Sequence, residues 1–83
     1  MAELPTPEQN GRDILRIFAH FNSRPGEVLR ANNFVAVGAR WQLRMTDLQN
    51  GLEYARENGW IQELPSGGIK LTERGFAEMV PSH

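Results

Sequence analysis

Between Thr46 and Phe76 the apolar residues recur first at helical spacing, then at every second position, then at helical spacing again. Few small folds accommodate a helix that runs straight into a tight hairpin and out into another helix. Thr46 with Gln49 three residues on reads as a capping box. Leu48, Leu52 and Ala55 follow on one helical face. Gly59 stands where a left-handed helix end is wanted, with Trp60 placed to fold back on the last turn. Ile61 and Leu64 precede the turn Pro65-Ser66-Gly67-Gly68, and Ile69 and Leu71 follow it. Pro65 pre-sets one turn residue, and Gly67 or Gly68 takes the positive φ. Thr72 then caps a last helix with Phe76, Met79 and Val80 on its apolar face.

The first half of the chain adds two more helices and a short extended segment. Thr6-Pro7-Glu8-Gln9 combines an N-cap, a proline at the first helical position and a capping box. Ile14, Ile17, Phe18 and Phe21 form the stripe behind it, and Asn22-Ser23-Arg24-Pro25-Gly26 ends the helix. Glu27-Val28-Leu29-Arg30 reads as a short strand. Asn32 or Asn33 caps a second helix through Phe34 and Val37, although Val35-Ala36-Val37 also fits a strand. Leu43 and Met45 are expected to plug the core. The expectation is an α+β, mainly α domain with helices over 7–22, 32–40, 46–58 and 72–80 and a hairpin over 60–71. Its core should hold Ile14, Phe18, Phe21, Phe34, Leu48, Leu52, Ile61, Leu71 and Phe76. Trp60 reads as core, whereas Trp41 is open between core and surface.

Eighty-three residues make a single domain over residues 6–80, with tails at 1–5 and 81–83. The chain has no cysteine, which excludes disulfides and thiolate metal sites and suits a cytoplasmic setting. No apolar run reaches the length of a membrane span and the first residues lack a signal-peptide pattern, so no membrane association is expected. The two histidines, His20 and His83, stand in no metal-ligand spacing, and no serine lies in a nucleophile motif. No enzyme activity, metal or cofactor is expected. Nine basic against ten acidic residues give a net charge of −1, which argues against unspecific nucleic-acid binding, though a neutral total can conceal a basic stripe.

Three features together resemble the winged helix-turn-helix family of small bacterial and archaeal DNA-binding regulators. They are Leu52 seven positions before Gly59-Trp60-Ile61, a glycine-containing hairpin turn, and the Leu71-Thr72-x-x-Gly75 sequence. The resemblance covers Thr6 to Val80 and implies a three-helix core, a β-hairpin wing and a short C-terminal helix. It implies further that the helix from Thr46 to Asn58 enters the major groove of duplex DNA while the wing meets backbone or minor groove.

Carried over to this chain, the outward positions of that helix are Thr46, Gln49, Asn50, Glu53, Tyr54 and Glu57. Gln49 and Asn50 suit bidentate contacts to adenine, and Thr46 or Tyr54 suits phosphate. Arg40, Arg44, Lys70 and Arg74 are the cations able to border the site, each with a solvated surface charge as its competing reading. Glu53 and a wing tip without a cation depart from the family pattern. The alternative is a winged helix used for protein contacts without DNA binding. No long extra helix is present for dimerisation, so a monomer is favoured over a homodimer.

Overall fold

The structure, a computed structural model, describes residues 6–79. The tails expected at 1–5 and 81–83, and Val80, lie outside the described residues. The element order is α1 (Pro7–His20), β1 (Val28–Arg30), α2 (Ala31–Arg40), α3 (Met45–Glu57), β2 (Ile61–Glu63), β3 (Gly68–Leu71) and α4 (Glu73–Met79). The small α+β domain is therefore mainly helical, with one three-stranded antiparallel sheet in the order β1-β3-β2.

At its start α1 has the expected capping box: the Thr6 hydroxyl accepts from Gln9 N–H at 3.1 Å, and Gln9 Oε1 accepts from Thr6 N–H at 2.9 Å. The other two caps differ from the sequence reading. Helix α2 begins at Ala31, where Asn33 Oδ1 accepts from the N–H of Arg30, the N-cap. Helix α3 begins at Met45 with Arg44 as N-cap, and Asp47 Oδ2 accepts from Arg44 N–H at 3.3 Å. The Thr46–Gln49 box does not form, because a carboxylate one turn in satisfies an earlier N–H and its charge suits the positive end of the helix. That shift carries Met45 to the surface, where it is 54% exposed rather than plugging the core.

All three long helices end alike. Asn22, Gln42 and Gly59 adopt positive φ (55°, 62° and 74°). In each case the following N–H bonds back to the carbonyl five residues earlier: Ser23 to Phe18, Leu43 to Gly38 and Trp60 to Ala55. These are Schellman motifs, which satisfy carbonyls that a helix end otherwise leaves unpaired. Trp60 thus folds back as expected, and it is buried.

The core is built around α1, with Ile14, Ile17 and Phe18 fully buried and the Phe18 ring meeting Phe34 edge-on at 5.3 Å. Leu15, Val37, Ala55, Trp60 and Ile69 complete it alongside the expected Leu48, Ile61 and Leu71. Leu52 and Phe76 are half-buried against this core, and Phe21 is 39% exposed because it occupies the C-cap of α1, where the chain turns away. Helix α1 packs on α3 at close range, and a Cβ at Gly51 would strike the backbone carbonyl of Asn10. In the sheet, Leu29 pairs Ile69 and Ile61 pairs Leu71 on the inner face, while Val28, Lys70 and Gln62 form a row on the outer face.

Thr72 locks the hairpin to α4. Its hydroxyl accepts from Gly75 N–H at 3.0 Å and turns its hydrogen to the carbonyls of Gly59 and Trp60, at 2.6 and 2.9 Å. Gly75 packs directly on that Trp60 carbonyl, so a Cβ there meets backbone. Gly75→Ala is expected to cost about 3 kcal/mol or more, the upper end of overpacking, since the obstacle is backbone and not a movable side chain. Gln42→Gly should instead stabilise the domain by about 0.5–1 kcal/mol, by relieving left-handed strain against a smaller entropic loss. Urea unfolding of both variants checks the two signs together.

Candidate nucleic-acid interface

The turn Trp41-Gln42-Leu43-Arg44 joins α2 to α3, and the burial of Leu48, Gly51 and Ala55, with Leu48 against Gly38 of α2 and Gly51 against α1, decides which side of α3 faces solvent. Thr46, Gln49, Asn50, Glu53 and Glu57 are exposed. Tyr54 is turned away from them: it is half-buried, lies against Gly11 of α1, and meets the Trp60 ring edge-on at 5.4 Å. Its position, three residues before the end of α3 at Glu57, belongs to the flank, not to the outward face.

The candidate cations divide by place. Arg44 stands at the start of α3, with its guanidinium 3.4 Å from Asp47. Arg40, the last residue of α2, is exposed and lines a groove between α1 and α2. Lys70 lies on the outer face of the sheet between Val28 and Gln62. Arg74 lies beside Gly59, beyond the C-terminal end of α3, in a cleft shared with Arg12, Arg56 and Glu57. Arg44 and Arg74 therefore border opposite ends of a helix about 20 Å long, at ~1.5 Å rise per residue. The structure brings Arg44, Thr46, Gln49 and Asn50 together and sets Tyr54 and Arg74 apart from them.

Arg30, which motif reading passes over, stands at the start of α2 and so away from that group. Its register opposite Gly68 places it at the hairpin turn, where Arg30, Asn32, Ser66 and Gly67 line a cleft of about 280 Å³. The signal for it lay in charge distribution. Residues 28–46 and 64–72 contain Arg30, Arg40, Arg44 and Lys70 and no carboxylate, while the remaining positions hold five cations and ten carboxylates. Arg12, Arg16 and Arg56 are ion-paired with Glu8 and Glu78, Asp13, and Glu63 respectively. Arg12 and Arg16 also stack on Trp60 and Trp41, at 5.3 and 5.1 Å from the ring centroids, which draws both into structural service. Among the described residues Arg30, Arg40 and Lys70 have no ion-pair partner.

Among the described residues no group of three or more His, Asp or Glu is placed to hold a metal ion, and no helix is long and apolar enough to cross a membrane. His20 lies edge-on to Phe21 and Trp41 rather than beside Asp13, which pairs with Arg16. Comparison with known proteins gives no match: no family model, curated protein or solved structure aligns with this chain.

The exposed side chains at this surface contribute little to folding. Asn50→Ala, at an exposed position, should change unfolding free energy by no more than about 0.5 kcal/mol, whereas Lys70→Ala, half-buried in the central strand, should cost up to about 1 kcal/mol. Thermal unfolding followed by far-UV circular dichroism checks this and qualifies both variants for binding work.

Proposed function

We propose that this domain is a winged helix-turn-helix module that binds duplex DNA through the first two turns of α3 and the β2–β3 hairpin. The observation that carries the reading is the separation of charge: residues 28–46 and 64–72, which hold β1, α2, the first residues of α3, the hairpin turn and β3, contain Arg30, Arg40, Arg44 and Lys70 and no carboxylate. A net charge of −1 is then compatible with a locally basic face. The element order, the sheet order with the hairpin at one side, and the short turn between α2 and α3 support the same reading. Gln49 and Asn50 are the base-reading candidates, because their amides both donate and accept, as an adenine edge requires. Arg30 and Lys70, without ion-pair partners among the described residues, are the phosphate contacts, and Arg44 joins them by exchanging Asp47 for a phosphate.

Glu53 and Glu57 favour a second reading, protein contact through α3. Both are exposed, neither is ion-paired among the described residues, and carboxylates at that position repel phosphate. They also set the expected strength of DNA binding, which should be weak and fade near physiological salt.

Titration with mixed-sequence duplex DNA at low and moderate salt, followed by amide shifts, distinguishes the two. DNA binding shifts residues 44–50 and 66–70 at low salt. Asn50→Ala should cost about 1–3 kcal/mol at one base position, while Lys70→Ala should weaken all sequences and reduce the salt slope by about one. No shift in those segments at low salt overturns the DNA reading and leaves protein contact in its place.

A further inference from the structure

A second surface lies beside this one, between α1 and α2. His20, Phe21, Asn32, Ala36, Val37 and Arg40 line an open groove of about 350 Å³, with no carboxylate among the described residues that line it. Asn32 lines this groove and also the cleft at the hairpin turn, so the two are neighbours. Among the described residues four large apolar side chains are exposed, and three of them, Phe21 (39%), Val35 (40%) and Val28 (45%), belong to the segments bordering these two hollows. Asn32, Val35, Ala36 and Ala39 form one exposed stripe along α2 at helical spacing. Such a stripe, with an arginine at one end that has no ion-pair partner among the described residues, is poorly matched to another basic surface.

We infer that the α1–α2 groove docks an acidic amphipathic helix of a partner protein, with Phe21 and Ala36 taking its apolar face and Arg40 its carboxylates. A hollow between two helices accepts a third by the same ridge-and-groove packing that joins the first two. The chemistry selects an acidic segment over a basic one, because Arg40 is without an ion-pair partner among the described residues and the groove offers nothing to a lysine. It selects an amphipathic segment over nucleic acid, because Phe21, Ala36 and Val37 give apolar contact where a phosphate backbone offers none. From Asn32 to Arg40 the stripe is about 12 Å long, at ~1.5 Å per residue, which matches two to three turns of a bound helix. So small a contact gives modest affinity, with Kd about 100 µM.

The test uses the 83-residue chain and two synthetic peptides. One has leucine and phenylalanine at i, i+3, i+4 and i+7 with glutamate elsewhere; its twin has lysine in place of every glutamate. The acidic peptide should shift the amides of Phe21, Asn32, Val35, Ala36 and Arg40 and bind roughly tenfold tighter than its twin. Arg40→Glu should invert that preference, and Phe21→Ser should weaken the acidic peptide about fivefold while leaving the unbound spectrum otherwise intact. Equal binding of both peptides, no binding at millimolar concentration, or acidic-peptide shifts confined to other surfaces overturns the inference. If Arg40→Glu does not fold, Arg40→Ala serves, and should reduce the difference between the peptides. A duplex-DNA titration in parallel reads residues 44–50 and 66–70, so the two proposals fail separately.

Discussion

Helix α3 can approach α1 closely only because Gly51 presents no side chain to the backbone of Asn10. That contact fixes the rotation of α3 about its own axis. With Leu48, Gly51 and Ala55 turned inward, Thr46, Gln49, Asn50 and Glu53 must point outward, and Tyr54 falls on the flank where Gly11 leaves room for its ring. The surface proposed to read DNA is in this sense a consequence of packing on its opposite side. A slight rotation of α3 would exchange Asn50 for Tyr54 or Glu57 at the centre of that face.

The hairpin is placed by a second junction. A single hydroxyl, that of Thr72, links the end of α3, the start of β2 and the first turn of α4, and Gly75 lets α4 rest on the Trp60 carbonyl. This accounts physically for a threonine followed by a glycine three residues on: one residue must cap and cross-link, the other must be without a Cβ. With Gly26 N–H bonding Leu71 and Leu71 N–H bonding Glu27, the same end of β3 also anchors the loop before β1. The turn at Gly67 is then held at the opposite end, next to the start of α2.

Electrostatically the chain divides its arginines between two tasks. Arg12 and Arg16, one turn apart on α1, cover the two tryptophans and pair with nearby acids, so their charge is consumed within the fold. Arg30 and Arg40, and Lys70 with them, remain without ion-pair partners among the described residues, on segments that contain no carboxylate. Total charge therefore says little about what such a domain binds. What counts is which cations the fold has already neutralised.

Local signals in the chain determined most of the elements. The Thr6 capping box, the Gly59 helix end, the Pro65–Gly68 turn and the Thr72 cap are interactions within a few residues, and each is legible in sequence because its chemistry is local. The extended segment before α2 was also readable, since Pro25 and Gly26 leave it no length for a helix. Tertiary structure decided what depends on distant partners or on competition between neighbours. Asp47 displaced Thr46 in capping α3, because either start satisfies helical periodicity and the carboxylate is the better partner for Arg44. Gln42 took a left-handed conformation that its side chain does not announce, because the short connection between α2 and α3 requires it. Phe21 extended the stripe of α1 in sequence yet emerged at the surface, since a helical period does not say where the helix stops covering the core. The grouping of Arg30 with the hairpin turn, and the parting of Arg74 from Arg44, follow from strand register and helix length in three dimensions. No spacing along the chain encodes them.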